Sequence, residues 1–295
     1  MRLLSAYISL ILLWSTTPLA VQWSGMGVGF LFGASMRMVV GLLCISVVLI
    51  LQRQRLLWHK SALWSYVAVF VQLFASMLLV NWAAQFIPSG WISVVFGLVP
   101  LMTAIIAAIF LGERSLSWPK LLSYCCGVAG LVMIFGSAMH LGKSAVWAIS
   151  TLLVAAVLQA VSAVWIKRIN AQLPALVQVT GGLLLTVPAY LALWYVYDGQ
   201  WPAYIAPRTL GAILYLGAIA TTIGFALYYY ILKHLSTTRV ALISLMSPVL
   251  ALLLGHVLNH EPLTLKIALG VGLITFGLFV HEFAEHLLRQ AMRRA

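Results

Sequence analysis

Residues 61–112 read SALWSYVAVFVQLFASMLLVNWAAQFIPSGWISVVFGLVPLMTAIIAAIFLG, with no charged side chain between Lys60 and Glu113. A bilayer-spanning helix needs about 20 apolar residues, so this run is too long for one helix and has to turn. Ile87-Pro88-Ser89-Gly90 supplies the turn residues. Only helices and closed barrels satisfy their own backbone in lipid. The run is continuous rather than alternating, which selects helices over barrel strands.

The rest of the chain follows the same pattern. Of its 295 residues, 63% are hydrophobic and 7% charged, with a mean hydropathy of +1.07. Soluble domains carry about 25% charged residues, so this composition excludes a water-soluble globule, and it excludes disorder for the same reason. Apolar runs place spans at 3–22, 29–51, 62–86, 89–111, 119–139, 145–166, 174–197, 209–232, 237–258 and 263–283. Arg2 followed by Leu3 to Leu13 resembles the start of a leader, but the apolar run continues to Val21, long enough to cross. The expectation is an all-α membrane protein of ten transmembrane helices.

Charge supports that count. Lys and Arg number 17 against 5 acidic residues, a net charge of +12. No Lys/Arg block tracks phosphates, so nucleic acid is not an expected partner. With a cytoplasmic N-terminus, thirteen fall inside: Arg2, Arg53, Arg55, Lys60, Arg114, Lys120, Lys167, Arg168, Lys233, Arg239, Arg289, Arg293 and Arg294. Three fall outside (Lys143, Arg208 and Lys266), and Arg37 lies within a span. The asymmetry follows the positive-inside rule and puts both termini in the cytoplasm. Cys44, Cys125 and Cys126 sit in apolar runs without ligand spacing, as packing residues.

Ten helices divide into five and five, residues 1–141 and 142–295. Because five is odd, the second half enters from the opposite side, which makes inverted repeats of the kind transporters use. A shift of 148 residues lays Pro100 on Pro248 and Glu113 on Glu261. Lys233 and Arg239 then face uncharged Gln85 and Trp91.

These residues resemble a known family. Ser93-Val94-Val95-Phe96-Gly97-Leu98-Val99-Pro100 with Phe110-Leu111-Gly112-Glu113-Arg114 is similar to the EamA-type signature of the drug/metabolite transporter superfamily. Ala241-Leu242-Ile243-Ser244-Leu245-Met246-Ser247-Pro248 with His260-Glu261-Pro262 resembles a second copy. Leu13-Trp14-Ser15 and Arg37 also fit. The resemblance implies a ten-helix permease moving small metabolites, often outward, across a bacterial inner membrane. The chain departs from the pattern at Gln22, where the family often has Lys, and at His260, where Gly is usual.

Arg37 is the sharpest candidate for chemistry. A charge at helix centre costs about 2.5–3.5 kcal/mol on insertion scales. It either meets a substrate carboxylate or phosphate through its planar fork, or caps carbonyls and snorkels. Gln178 holds the matching place in the second half, four residues before Gly182 as Arg37 is before Gly41. Trp14, Trp82, Gln159 and Tyr229 complete the candidate substrate site. Pro100 and Pro248 are expected to interrupt their helices as hinges, as Pro18 and Pro188 also would. Glu113 and Glu261 are gate candidates, or carboxylates holding the N-terminus of the following helix.

His281-Glu282-Phe283-Ala284-Glu285-His286 misses the zinc-protease spacing by one residue. No phosphate-cradling loop and no Gly-x-Ser-x-Gly appear, so no catalytic residue, metal or cofactor is expected. The partners expected are a small-molecule substrate and the lipid bilayer, with a homodimer allowed. Amino acids lead as substrate. The alternative is an intramembrane enzyme or carrier for a lipid-linked substrate.

Overall fold

The computed structural model describes residues 3–112, 118–224 and 237–294, with 227, 231 and 234 between them; only backbone is described at 118–119, 140–141, 237–242, 244 and 282–294. Among the described residues there are helices and no strands. Helix α1 covers Leu3–Ser24 and α2 Phe30–Leu51. Helix α3 covers Lys60–Ala83 and contains a π-helical stretch, Val71–Ser76. Helix α4 has two segments, Ser89–Phe96 and Val99–Leu111. Then come α5 (Trp118–Leu141), α6 (Lys143–Ile169) and α7 (Ala175–Tyr197). Helix α8 begins at Pro207–Leu214 and continues as a π-helix over Tyr215–Ile223. Helices α9 (Thr237–Asn259) and α10 (Leu265–Arg294) complete the described elements.

Among the described residues, seven helices, α1 to α7, are long and apolar enough to cross a membrane, and shorter apolar stretches follow at Leu245–Asn259 and Leu265–His281. The chain is an all-α, multi-pass membrane protein. Its helix ends follow local chemistry. His59 caps α3 by accepting the Ala62 N–H at 3.2 Å. Gly112 closes α4 in the left-handed region at φ 67°. Helix α10 outruns the expected end at 283 because Glu, Ala, Leu and Arg sustain a helix after the apolar stretch has stopped.

Of the four prolines expected to interrupt helices, Pro100 lies at a break and the other three do not. Helix α4 stops at Phe96 and restarts at Val99, with Pro100 in the new first turn. Helices α1, α7 and α9 run unbroken through Pro18, Pro188 and Pro248. Each of these three has a hydroxyl just ahead of its proline that donates to a carbonyl one turn back. The pairs are Thr17 to Leu13 (2.6 Å), Thr186 to Gly182 (2.8 Å) and Ser247 to Ile243 (2.8 Å). Such hydroxyls hold a proline-containing helix together in lipid. Gly97, Leu98 and Val99 offer none.

Packing partners set the layout. Helix α1 lies against α8 and α9, while α6 lies against α3 and the second segment of α4. Helix α2 packs on α7 and α8, α3 packs on α7, and α5 packs on α10. The main core joins the end of α1, both segments of α4 and the middle of α6, with Trp91, Val94 and Leu152 at most 2% exposed. Fully burying a large apolar side chain stabilises by about 1.5–3 kcal/mol where water is the alternative. Between helices in lipid, close packing replaces that drive.

Candidate functional site

The first segment of α4 runs along α9 at very short range. A Cβ at Gly90 would stand 2.8 Å from the Leu252 Cα, and one at Gly97 would stand 3.4 Å from the Pro248 ring. Small residues permit such backbone approach. Beyond the break at Gly97 and Leu98 the pair separates. The second segment of α4 packs on α6, while the start of α9 joins α1 through Ile243, Leu10 and Ile11.

At the end where the two helices touch, a polar cluster ties four parts of the chain together. We call this the capped end. The Glu261 carboxylate accepts the backbone N–H groups of Ser89 (2.8 Å) and Gly90 (3.2 Å), at the N-terminus of α4. Asn259 donates to Glu261 at 3.0 Å and to Gln22 at 2.9 Å, and accepts the Trp23 indole N–H at 3.3 Å. Gln22 donates in turn to the carbonyls of Ala84 and Ile87, each at 3.4 Å. A His256 ring nitrogen lies 2.8 Å from the Glu261 carbonyl. The Arg208 guanidinium stacks 3.8 Å above the Trp23 ring, and Thr209 donates to the Met26 carbonyl at 2.9 Å. Glu261 therefore does hold a helix N-terminus. The helix is α4, whose Ser89 lies 172 residues away in sequence, and not the helix that follows.

Deeper in the bundle, Arg37 is the eighth residue of α2 and only 7% exposed. Its Nε has no hydrogen-bond partner. Its charge faces Tyr190 of α7, which is fully buried. The Tyr190 hydroxyl donates to the Phe74 carbonyl at 3.4 Å, inside the π-helical stretch of α3, and the two rings meet edge to face at 5.1 Å. On its other side Arg37 abuts the second π-helical stretch, where a Cβ at Gly217 would stand 2.7 Å from the Arg37 carbonyl. π-Helical turns loosen the carbonyl ladder and occur frequently at functional sites. Thr16 and Tyr215 join α1 to the same stretch by a 2.5 Å hydroxyl contact.

No carboxylate answers Arg37 among the residues whose side chains are described. Asp198 lies exposed at the end of α7, and Glu261 is committed to α4.

The other candidates are spread out. Trp14 is half-buried between α1 and the start of α9. Trp82 packs on Phe86 with ring centroids 5.0 Å apart and planes tilted by 55°, and leans on the main core. Gln159, on α6, has a buried Oε1 without a partner. Gln178 is the fourth residue of α7, about 18 Å along that helix from Tyr190 at 1.5 Å per residue. It does not share a pocket with Arg37. Pro248 lies against the α4 break, and Pro100 opens the segment beyond it. Glu113 and Tyr229 lie outside the described residues. Sequence reasoning missed Tyr190, whose one signal was a phenol in mid-span, and Asn259, two residues before Glu261. Among the described residues no cluster of His, Cys, Asp or Glu could hold a metal ion.

The model of the EamA-like transporter family matches residues 3–136 and again 146–281. The uncharacterized transporter YoaV of Bacillus subtilis is 25% identical over 284 residues, 96% of this chain and 97% of that protein. A probable amino-acid metabolite efflux pump of Escherichia coli is 26% identical over 66% of this chain and 68% of its own. One solved crystal structure superimposes with a TM-score of 0.64 at 24% identity, covering 94% of this chain and 95% of that one, and so shares its fold.

Proposed function

The chain belongs to the EamA-like transporter family, and from that premise we propose that it exports a small polar metabolite with a carboxylate across the bacterial inner membrane. Amino acids and their close relatives are the leading class. The observation that carries this reading is Arg37, a buried guanidinium inside the bundle with no carboxylate to answer it among the residues whose side chains are described. Intramembrane charges face a cavity and pair with something, and an arginine fork fits a carboxylate with two parallel bonds. Kinship with an amino-acid metabolite efflux pump points the same way.

The proposed architecture is ten spans in two inverted five-helix halves, 1–141 and 142–295, with both termini cytoplasmic. Support comes from reciprocal packing. Exchanging helices one to five for six to ten turns the largest pairings into one another: α1 on α8 and α9 becomes α6 on α3 and α4, and α2 on α8 becomes α7 on α3. Reporter fusions after residues 140 and 290 are expected in opposite compartments; the same compartment for both would remove the inversion.

The mechanism is alternating access, with the halves rocking about a central site. Arg37, Trp14, Trp82, Gln159, Gln178 and Tyr229 serve the substrate path on its two sides. Pro100 and Pro248 act at the crossing of α4 and α9, and Glu113 and Glu261 gate opposite ends. In proteoliposomes, counterflow of a labelled amino-acid panel tests the reading. Loss of a buried charge partner weakens binding strongly, so R37A is expected to cut counterflow by at least about tenfold, with R37K retaining part of it. Undiminished counterflow in R37A would take Arg37 out of the site.

A further inference from the structure

Glu261 occupies the place a bound anion would take. It belongs to the segment after α9, yet both of its oxygens serve the N-terminus of α4. A helix N-terminus presents unpaired N–H groups and a positive dipole end, and it binds carboxylates from solution as well as from its own chain.

Ser89 adds a second donor to this place. It is 1% exposed, and its Oγ has no hydrogen-bond partner. The hydroxyl and the carboxylate converge on one point, because a Cβ at Gly255 would collide with Glu261 Oε2 and stand 3.1 Å from Ser89 Oγ. Every hydrogen-bond donor to the carboxylate among the described residues is an uncharged N–H, from Ser89, Gly90 or Asn259. The carboxylate is thus held by hydrogen bonds that any small carboxylate can reproduce.

We propose that the N-terminus of α4, with the Ser89 hydroxyl, is a carboxylate-binding site that Glu261 fills while the capped end is closed. A monocarboxylate takes its place when that end opens. That the arriving carboxylate belongs to the transported molecule rests on the transport reading above; the site itself does not. Glu261 is then a built-in competitor. It shuts the end behind a departing substrate by displacing its carboxylate from α4.

Chemical rescue tests the site independently of transport. Cysteine accessibility is read at Ala84→Cys, a buried position whose carbonyl belongs to the cluster, in a background without native cysteines. Losing hydrogen bonds to a buried charged group is costly, so E261A is expected to label about tenfold faster than the Glu261 protein. Roughly 0.1 M sodium formate is expected to reverse most of that increase by mass action, while formamide and sodium chloride leave it in place. Formate must not slow labelling when Glu261 is present, since the site is then full. If E261A fails to fold, E261S keeps a hydroxyl in the cluster and must respond to formate in the same way. Absence of formate rescue, or equal rescue by formamide or chloride, overturns the site. Rescue by formate together with no counterflow of the amino-acid panel through the wild-type protein would keep the site and reject the transport reading.

Discussion

Helices α4 and α9 cross where Gly97 meets Pro248, and the pair differs on the two sides of that crossing. Toward the capped end the backbones nearly touch at Gly90 and Leu252, and the Glu261 carboxylate bonds across them. Toward the other end the α4 chain has broken, its second segment has gone to α6, and α9 has stayed with α1. Closure at one end therefore needs both a glycine-permitted approach and a polar bond set. The break in α4 lets one end close without carrying the other along.

Four substitutions break or sharpen that contrast, and each is read by thermal unfolding in detergent and by labelling at Ala84→Cys. G90V puts a branched side chain against the Leu252 backbone, which is unable to yield as a flexible side chain would. Overpacking of this kind costs up to about 3 kcal/mol, and the capped end is expected to open. N259A leaves Gln22, the Trp23 indole and Glu261 each short of one partner. With buried groups unsatisfied the loss is expected near ~2 kcal/mol, with labelling raised but less than in G90V. S247A removes the hydroxyl that precedes Pro248 and makes α9 resemble α4. Its expected cost is about 1 kcal/mol, with the difference between the two helices narrowed. R208A loses only the stack on Trp23 from an exposed side chain, about 0.5 kcal/mol. An R208A effect as large as that of N259A would move the weight of closure from hydrogen bonds to the cation–π contact.

Much of this is legible in the chain, and the part that is not has a physical reason. Apolar runs mark the helices because lipid demands them, and they miss the tail of α10 because helix propensity outlasts the membrane. Arg37 stands out as the one Lys or Arg set more than four residues inside both ends of an expected span. Its environment does not, since Tyr190 and the π-helical carbonyls come from other helices. The prolines are visible, but whether each breaks its helix depends on a hydroxyl one or two residues earlier, a finer signal than proline itself. Glu261 reads in the sequence as a gate or as a carboxylate for the helix that follows it. The helix it holds is α4, in the other half of the chain, and no local pattern encodes a pairing of that range.

The account rests on the two ends closing in turn. The most direct measurement labels Ala84→Cys at the capped end and Ala104→Cys, a half-buried position on the second segment of α4, in separate proteins with and without E261A. Releasing Glu261 is expected to raise labelling at residue 84 and lower it at residue 104. A rise at both positions, or a change at residue 84 with none at residue 104, would contradict alternating access through this pair of helices.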